Sequence, residues 1–191
     1  MANIRSLIEY DAQHPKKAGS NLEEKLFLFG LVRMIKPARV LEIGVSAGHM
    51  TAWLALALEQ NKKGELVSVD NFSKAHGGEA GDEKPARRRL AANGLAERVD
   101  FVKSDSVEFL QKQPDNSFDF VWVDGDHSFD GARADIVEAL RVARYVVGVH
   151  DTNQLYDGPR EAIKAIMPLQ TLGFWVEGCR GIWLYNVGRE A

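Results

Sequence analysis

The sequence predicts an α/β fold in which helices cover both faces of an open, doubly wound and mostly parallel sheet. The first observation is that five short apolar runs rich in β-branched residues alternate with helical segments. The second is an alternating apolar tail, split by glycines, which predicts a C-terminal antiparallel hairpin. The third is that nearly every predicted strand is followed by a polar or ionisable residue. Ligands of such sheets bind outside the carboxyl ends of the strands, so we expect the site there.

Length and composition fit one folded unit and exclude several classes of function. The chain has 191 residues, of which 45% are hydrophobic and 27% charged, a balance typical of globular domains. Its net charge of −3 offers no basic surplus, so we expect no nucleic-acid partner. No apolar stretch is long enough to span a bilayer, and the N-terminus lacks the layout of a secretory signal. We therefore expect a cytoplasmic protein without a membrane partner.

Residues 1–38 are predicted to form an N-terminal helical segment that supplies substrate or oligomer contacts. A short helix over residues 4–10 is followed by a polar loop. Asn21, with Glu24 three residues later, has capping-box spacing and predicts the start of a second helix. Residues 39–191 then form the domain that contains the sheet. The N-terminal helix and the terminal hairpin are candidate interfaces of a homo-oligomer.

The first strand, over residues 39–43, leads through a glycine turn over residues 44–48 into a helix over residues 51–59. A strand, a tight turn and a helix N-terminus in this order form a ready site for a nucleoside or phosphate-like ligand. Glu42 is a carboxylate in a strand that should be buried. Its charge must therefore be compensated by the protein or used by the site.

The glycine pattern narrows the choice of ligand. A dinucleotide fingerprint needs glycine at its third and sixth places, which Ser46 and His49 occupy here. The pattern is instead Glu-x-Gly-x-x-x-Gly, with Glu42 before Gly44 and with Gly48 as the second glycine. A positively charged ligand without phosphates suits this turn better than NAD.

The second strand, over residues 65–70, ends in Asp70. This carboxylate follows the glycine turn by about one strand–helix–strand unit, the position of an acid that hydrogen-bonds ribose hydroxyls. Strands also end in Asp because it starts turns, and that interpretation remains open. The glycine-rich segment 71–84 is interpreted as a lid or substrate loop, with an exposed connector as the alternative.

The rest of the chain continues the alternation. Helices are predicted over residues 85–92, 129–142 and from 158, strands over 99–102, 118–124 and 145–149, and hairpin strands over 173–177 and 181–185. Asp105 lies at a loop-to-helix junction, where it can cap the helix and accept a hydrogen bond from a base amino group. The three consecutive arginines at 87–89 are interpreted as a solvated helix face.

These motifs together resemble those of class I S-adenosylmethionine-dependent methyltransferases. The resemblance covers residues from about 40 to 185 and rests on residues 40–48, 69–70 and 104–106 and on the strand layout. Within that superfamily, residues 122–131 and 149–152 resemble small-molecule O-methyltransferases of the catechol and the sugar- or antibiotic-tailoring types. The resemblance implies a Rossmann-like seven-stranded sheet, S-adenosyl-L-methionine as cofactor, and a small hydroxylated molecule as substrate.

The resemblance also implies roles for the matching positions. The implied cofactor-binding residues are Glu42, Gly44, Ser46, Gly48, Asp70, Asn71, Asp105, Ser106 and Asp124. In relatives, the first three positions hold the amino-acid end of the cofactor. Asp70 corresponds to the position that binds the ribose hydroxyls, and Asp105 with Ser106 to the positions at the adenine edge.

Positions after the fourth and fifth strands suggest the chemistry. Metal-dependent members have an acidic pair that matches positions 150 and 151, so the implied metal ligands are Asp124, His150 and Asp151. A histidine in this set favours zinc, iron, nickel or manganese over magnesium. A hydroxyl acceptor must be deprotonated by a base of near-neutral pKa or by a metal, and we predict His127 as base with Asp124 as the second catalytic residue. Purely structural roles at a helix start and a turn remain open for His127 and Asp151.

Two other classes of function are alternatives. One is a nicotinamide-dependent oxidoreductase. The absence of glycine at the third place of the dinucleotide fingerprint argues against it. The other is a cofactor-binding module without catalysis. Titration with S-adenosylhomocysteine and with NADH separates the methyltransferase from the oxidoreductase, and turnover separates the enzyme from the module.

Overall fold

Strands rich in β-branched and aromatic residues form one seven-stranded sheet in the computed structural model of the chain. The structure describes residues 2–14, 20–73, 83–153, 157–167, 173–176 and 180–188. The strands are β1 (Arg39–Ile43), β2 (Glu65–Asp70), β3 (Val99–Lys103), β4 (Phe118–Val123), β5 (Ala143–His150), β6 (Gly173–Val176) and β7 (Ile182–Asn186). The helices are α1 (Ile4–Gln13), α2 (Leu22–Ile35), α3 (His49–Asn61), α4 (Lys84–Ala92), α5 (Ser106–Leu110), α6 (Phe129–Val142) and α7 (Asp157–Ile166).

The strand order in the sheet is β3-β2-β1-β4-β5-β7-β6. Strands β1 to β5 pair in parallel, whereas β7 is antiparallel to both β5 and β6. The strand order reverses between β1 and β4, and this switch point is where open α/β sheets bind ligands. The predicted Rossmann-like, mostly parallel fold with its antiparallel C-terminal hairpin is confirmed.

The element boundaries agree with the sequence where local signals are strong. The capping box at the start of α2 is present, since the Glu24 amide donates to Asn21 Oδ1 at 2.8 Å and the Asn21 amide donates to Glu24 Oε2 at 3.0 Å. Strands β1 and β2 and helix α6 have the predicted bounds. Strand β5 begins two residues earlier than predicted, at Ala143, and extends to His150.

Two apolar layers cover the faces of the sheet. On one face, α3 is almost wholly buried, and Trp53 packs with Leu7 of α1 and Leu28 of α2. On the other face, Ile136 of α6 packs with residues of β4, β5 and α7. The first two helices therefore share the core of the sheet domain. The boundary predicted between residues 38 and 39 stays a prediction.

Some predicted features fall on residues outside the ranges that the structure describes. The polar loop after α1 includes residues 15–19, and the predicted lid includes residues 74–82; both ranges lie outside the described residues. Among the helices that the structure describes, we find none that combines the length and the apolar character needed to cross a membrane.

Candidate functional site

The glycine turn after β1 lies directly against the end of β4. Gly44 has a φ of +89°, and its amide donates to the Val69 carbonyl at 2.9 Å. A Cβ on Gly44 would lie 2.0 Å from the backbone oxygen of Asp124. Only glycine permits both this φ and this approach. The turn and the Asp124 segment therefore form one continuous surface at the switch point of the sheet.

Asp70, at the end of β2, holds the shape of this turn. Its Oδ2 accepts hydrogen bonds from the amides of Val45 at 2.7 Å and Ser46 at 2.9 Å. Its Oδ1 accepts from the Phe72 amide at 2.6 Å. Ser46 itself has a φ of +50°, and the paired amides stabilise that conformation. A carboxylate has about four acceptor positions, so Asp70 retains capacity for a ligand hydroxyl.

Glu42 is fully buried in β1, as its position in the strand predicts. Its Oε2 accepts a hydrogen bond from the Ser68 hydroxyl at 2.7 Å. The other oxygen, Oε1, and the Thr51 hydroxyl lack a hydrogen bond of good geometry among the described residues, although Thr51 lies near enough to favour the carboxylate. Burial raises the pKa of Glu42 to about 8, against the opposing effect of Ser68. The charge that the sequence placed in the core is therefore largely neutralised by protonation at pH 7.

The second glycine of the turn is packed against α4. Gly48 has a φ of +72°, and a Cβ there would lie 2.6 Å from the Cβ of Ala86. It immediately precedes α3, whose first backbone N–H groups have no partner within the helix. The close packing of α4 thus fixes the direction of these N–H groups at the turn.

The residues predicted at the adenine and ribose edges lie beside the turn with local partners of their own. Asp105 is exposed and caps α5, accepting from the Glu108 amide at 3.1 Å, as predicted for a cap. The Ser106 hydroxyl donates to Asp135 Oδ1 at 2.5 Å. Asn71 is exposed, and its side chain accepts from the amide two residues on. Contacts of these side chains with a nucleoside stay a prediction.

Three ionisable groups converge where β4 and β5 end. His127 Nε2 lies 2.7 Å from Asp151 Oδ2 and 3.8 Å from Asp124 Oδ1. One potential ligand atom from each of these residues lies within 4.8 Å of the other two. Metal–ligand bonds of about 2.1 Å place neighbouring ligand atoms about 3 Å apart, so Asp124 and His127 must move closer together before the trio can hold a cation.

His150 is buried next to Asp124 and Asp151 of this trio. Its Nδ1 is 3.1 Å from Asp124 Oδ1, and its Nε2 is 3.3 Å from Glu24 Oε2. Burial disfavours its charge, but Asp124 and Glu24 outweigh that effect and raise the pKa of His150 to about 10. A doubly paired imidazolium offers no lone pair to a metal. The role of His150 as a ligand stays a prediction, and this geometry favours His127 for that place.

His127 is also protonated in this arrangement. Burial lowers its pKa, but the nearby carboxylates of Asp124 and Asp151 outweigh burial and raise the pKa of His127 to about 9. The charge of His150, together with His127, holds the pKa of Asp124 well below its usual range despite burial. An imidazolium cannot accept a proton at pH 7. His127 can therefore act as base only after a ligand or cation changes this pairing.

Three residues near the site were not identified from the sequence. Glu24 was interpreted only as part of a capping box, yet its side chain is buried against His150. Asp135 lies on the apolar face of α6, and burial raises its pKa to about 6; an acid within an apolar stripe was the available signal. The interpretation of residues 87–89 as a solvated face is wrong for Arg89, which is 4% exposed.

Comparisons with known proteins identify relatives of this chain. The sequence profile of a family described as a methyltransferase domain matches residues 41–152. The catechol O-methyltransferase of Mycobacterium tuberculosis is 30% identical over 139 residues, which is 73% of this chain and 58% of that protein. The chain spans about half the length of the curated relatives that it matches, between 43% and 58%.

Solved structures share the fold. The S-adenosylhomocysteine-bound methyltransferase PaMTH1 of Podospora anserina is 15% identical with a TM-score of 0.74, covering 96% of this chain and 88% of its own. An O-methyltransferase of Bacillus cereus in complex with S-adenosylhomocysteine is 21% identical with a TM-score of 0.68, covering 96% and 91%. With a family profile that spans more than half of the sequence and with this fold, the chain belongs to the family of methyltransferase domains.

Proposed function

We propose that this chain transfers a methyl group from S-adenosylmethionine to a hydroxyl of a small molecule. The observation that supports the proposal best is the contact between Gly44 and the Asp124 backbone. Because of this contact, a nucleoside-binding turn adjoins a trio of groups able to hold a proton or a cation. Methyl transfer to a hydroxyl needs these two functions side by side.

The turn has the features that S-adenosylmethionine requires. Glu42 Oε1 lacks a hydrogen bond of good geometry in the described part of the chain, and an ammonium group bound beside it would lower the pKa of Glu42 and favour the carboxylate. Asp70 retains acceptor capacity for ribose hydroxyls after holding the turn. We assign the amino-acid end of the cofactor to Glu42, Gly44, Ser46 and Gly48, the ribose to Asp70 and Asn71, and the adenine to Asp105 and Ser106, with Asp124 at the pocket wall.

When bound, the sulfonium cofactor supplies a methyl group that is open to in-line attack. The chain's own residues must orient the acceptor hydroxyl and remove its proton. We assign proton removal to the group of Asp124, His127 and Asp151. Either His127 acts as the base once its pairing with Asp151 is relaxed, or the three side chains hold a divalent cation such as zinc, iron, nickel or manganese that lowers the pKa of the hydroxyl.

Similar proteins indicate the class of acceptor. The curated relatives include a catechol O-methyltransferase and caffeoyl-CoA O-methyltransferases. We propose a small hydroxylated compound, with an aromatic diol as the first candidate. Cytoplasmic location and homo-oligomer contacts through the N-terminal helices or the hairpin remain proposals from the sequence.

The test combines binding and turnover of the purified chain. We expect isothermal titration to detect binding of S-adenosylhomocysteine but not of NADH. Binding of NADH alone would support the oxidoreductase and contradict our proposal. Methyl transfer from S-adenosylmethionine to catechol and related hydroxylated compounds is then measured with added manganese, with zinc and with a chelator. Cofactor binding without transfer to any compound would support a non-catalytic module.

A substitution at the trio tests its role. We expect His127→Ala to lower turnover by at least about 10²-fold while S-adenosylhomocysteine binding is retained. His14→Ala, at an exposed histidine that follows α1, is the matched control. If chelated wild-type protein still turns over, and faster toward pH 9, His127 acts as the base. Loss of turnover on chelation identifies the trio as metal ligands instead. Unchanged turnover in His127→Ala would remove His127 from both roles.

A further inference from the structure

Arg89 is buried in α4 and faces the glycine turn over residues 44–48, called the cofactor turn below. Its neighbour Arg88 is exposed. Its Nε donates to the carbonyl of Ala47, in the middle of the turn, at 3.2 Å. One terminal nitrogen lies 2.8 Å from His49 Nε2, and the other donates to Asp11 Oδ1 of α1. One guanidinium therefore joins α1, α4, the turn and the start of α3.

The contact with His49 fixes the state of that ring. A guanidinium can only donate, so His49 Nε2 must accept, and the proton of the neutral ring lies on Nδ1. His49 Nδ1 is 3.5 Å from Asp11 Oδ1. Burial lowers the pKa of His49, which favours the neutral ring. Arg89 and Asp11 thus determine the orientation of the first residue of α3.

Asp11 has buried partners from several helices. Lys25 Nζ of α2 lies 2.8 Å from its Oδ2, with the two side chains only 9% and 14% exposed. The indole N–H of Trp53 in α3 donates to the same oxygen at 3.3 Å. Although burial opposes the charge, the contacts with His49 and Lys25 hold the pKa of Asp11 well below its usual range. The carboxylate is a fixed connection between α1 and Arg89.

We propose that Arg89 is a positioning residue for the cofactor turn and that Asp11 couples the docking of α1 to cofactor binding. This inference rests on the proposed use of the turn by S-adenosylmethionine. Asp70 holds the amides of Val45 and Ser46 from one side, and Arg89 holds the Ala47 carbonyl from the other. Since coupling between two sites is reciprocal, a bound cofactor must stabilise the docked α1 by the factor that α1 adds to affinity.

Arg89→Lys tests the positioning role with the charge retained. A lysine ammonium lacks the planar fork and cannot hold the three partners in the same geometry. We expect the Kd of S-adenosylhomocysteine and the KM of S-adenosylmethionine to rise roughly tenfold. Turnover at saturating cofactor should stay within about twofold, because the variant alters the turn rather than the reacting groups. Arg88→Lys, one residue away on the same helix, is the matched control.

Hydrogen exchange tests the coupling in the unmodified protein. Saturating S-adenosylhomocysteine should slow amide exchange in α1 roughly tenfold in the wild type, by reciprocity. Asp11→Asn should abolish that slowing and weaken binding. Glu9→Gln is the control on the same helix, because Glu9 is exposed and its ion pair with Arg5 lies at the surface. Because any ligand of the native state also slows exchange through global unfolding, the result that supports the coupling is a slowing in α1 that Asp11→Asn loses and Glu9→Gln keeps.

The outcomes separate this inference from the proposed function. Failure of the wild type to bind S-adenosylhomocysteine would overturn the proposed function. Normal wild-type binding with equal affinity in Arg89→Lys and Arg88→Lys would overturn the positioning role of Arg89. Cofactor-independent exchange of α1 in the wild type would overturn the coupling through Asp11, whether or not any variant folds.

Discussion

Glu24 connects the start of α2 with the strand ends that carry the candidate acid and histidine groups. Its Oε2 accepts from the Asn21 amide and lies 3.3 Å from His150 Nε2. Its Oε1 accepts from the Arg180 amide at 2.9 Å. Although burial opposes the charge, the ion pair with His150 lowers the pKa of Glu24. A side chain that the sequence identifies as a helix cap is therefore also the counter-charge of a buried imidazolium.

Replacing Glu24 by Gln tests this second role. The amide preserves the size of the side chain but leaves the cation of His150, which is 1% exposed, with fewer anionic partners. Because removal of one member of a buried ion pair leaves an uncompensated charge, we expect the free energy of unfolding to fall by about 3 kcal/mol at pH 6. Urea denaturation measures the change.

Glu23→Gln is the matched control, since Glu23 is the preceding residue of α2 and is exposed. Its effect should stay within about 0.5 kcal/mol. Equal losses in the two variants would show that the charge at the helix start, and not the pairing with His150, accounts for the effect.

At the scale of elements, the glycine turn over residues 44–48 is held by the helices on either side of it. Helix α4 contributes Arg89 and Ala86, and Ala86 lies against the Cα of Gly48 so closely that no side chain fits between them. The positive φ of Gly48 also lets the chain turn sharply into α3. Two demands, one conformational and one steric, therefore meet at the same residue.

Gly48→Ala and Gly94→Ala separate these demands. Both glycines have a positive φ, +72° and +66°, so both alanines are strained by about 1–2 kcal/mol. A Cβ at Gly94 meets nothing within 4 Å, whereas at Gly48 it would overlap Ala86. We expect Gly48→Ala to lower the free energy of unfolding by about 1–3 kcal/mol more than Gly94→Ala. Thermal unfolding of the two variants measures this, and equal losses would mean that α4 moves away without cost.

The elements were predictable where a local rule determines them. The β-branched run of β1 and the serine-capped, apolar-striped α6 have the bounds that their sequences predict. The arrangement of the trio was not predictable, because it depends on Asp151. This residue has a φ of +53°, which breaks the side-chain alternation of β5 and brings Asp151 to His127. A sequence pattern does not reveal a left-handed aspartate after a strand.

The burial of Arg89, unlike the exposure of its neighbours, depends on a partner that is distant in the sequence. The sequence offers three consecutive arginines on one helix, and helical periodicity alone does not tell which of them faces the core. Its partner Asp11 is 78 residues away, in a helix whose sequence looks polar. Contacts of this range arise from the packing of α1 and α4 on the sheet, which local pattern does not specify.

At the scale of the whole molecule, several buried groups make stability depend on pH in the same direction. The pKa of Glu42 is raised from 4.5 to about 8, mainly by burial. The pKa values of His127 and His150 are raised from 6.5 to about 9 and about 10, because their acidic partners outweigh burial. A group with a raised pKa contributes its full stabilisation below its unfolded pKa and loses it as the pH rises through the folded value.

Groups with lowered pKa values limit stability on the acid side. The carboxyls of Asp11, Glu24 and Asp124 lose their stabilising charge as the pH falls below their unfolded values near 4. The neutral ring of His49 loses stability as the pH falls below 6.5. These groups, Asp135 with its pKa raised to about 6, and the three groups with higher raised pKa values leave a maximum of stability on the acidic side of neutrality.

We therefore expect the free energy of unfolding to be greatest near pH 5 and to fall toward pH 9, because Asp135 and Glu42 both lose stability above that pH. One proton contributes a slope of up to about 1.4 kcal/mol per pH unit, so the fall is steepest between pH 6.5 and 8, where Glu42 and both histidines contribute. Glu42→Gln mimics the protonated carboxyl. Below pH 8 it should therefore reduce the slope of the free energy of unfolding by up to about 1.4 kcal/mol per pH unit. Urea denaturation at a series of pH values, with the exposed Glu65→Gln as control, measures the difference. Parallel curves for wild type and Glu42→Gln would show that Glu42 is already ionised in the folded chain, which would contradict the buried, protonated carboxyl described above.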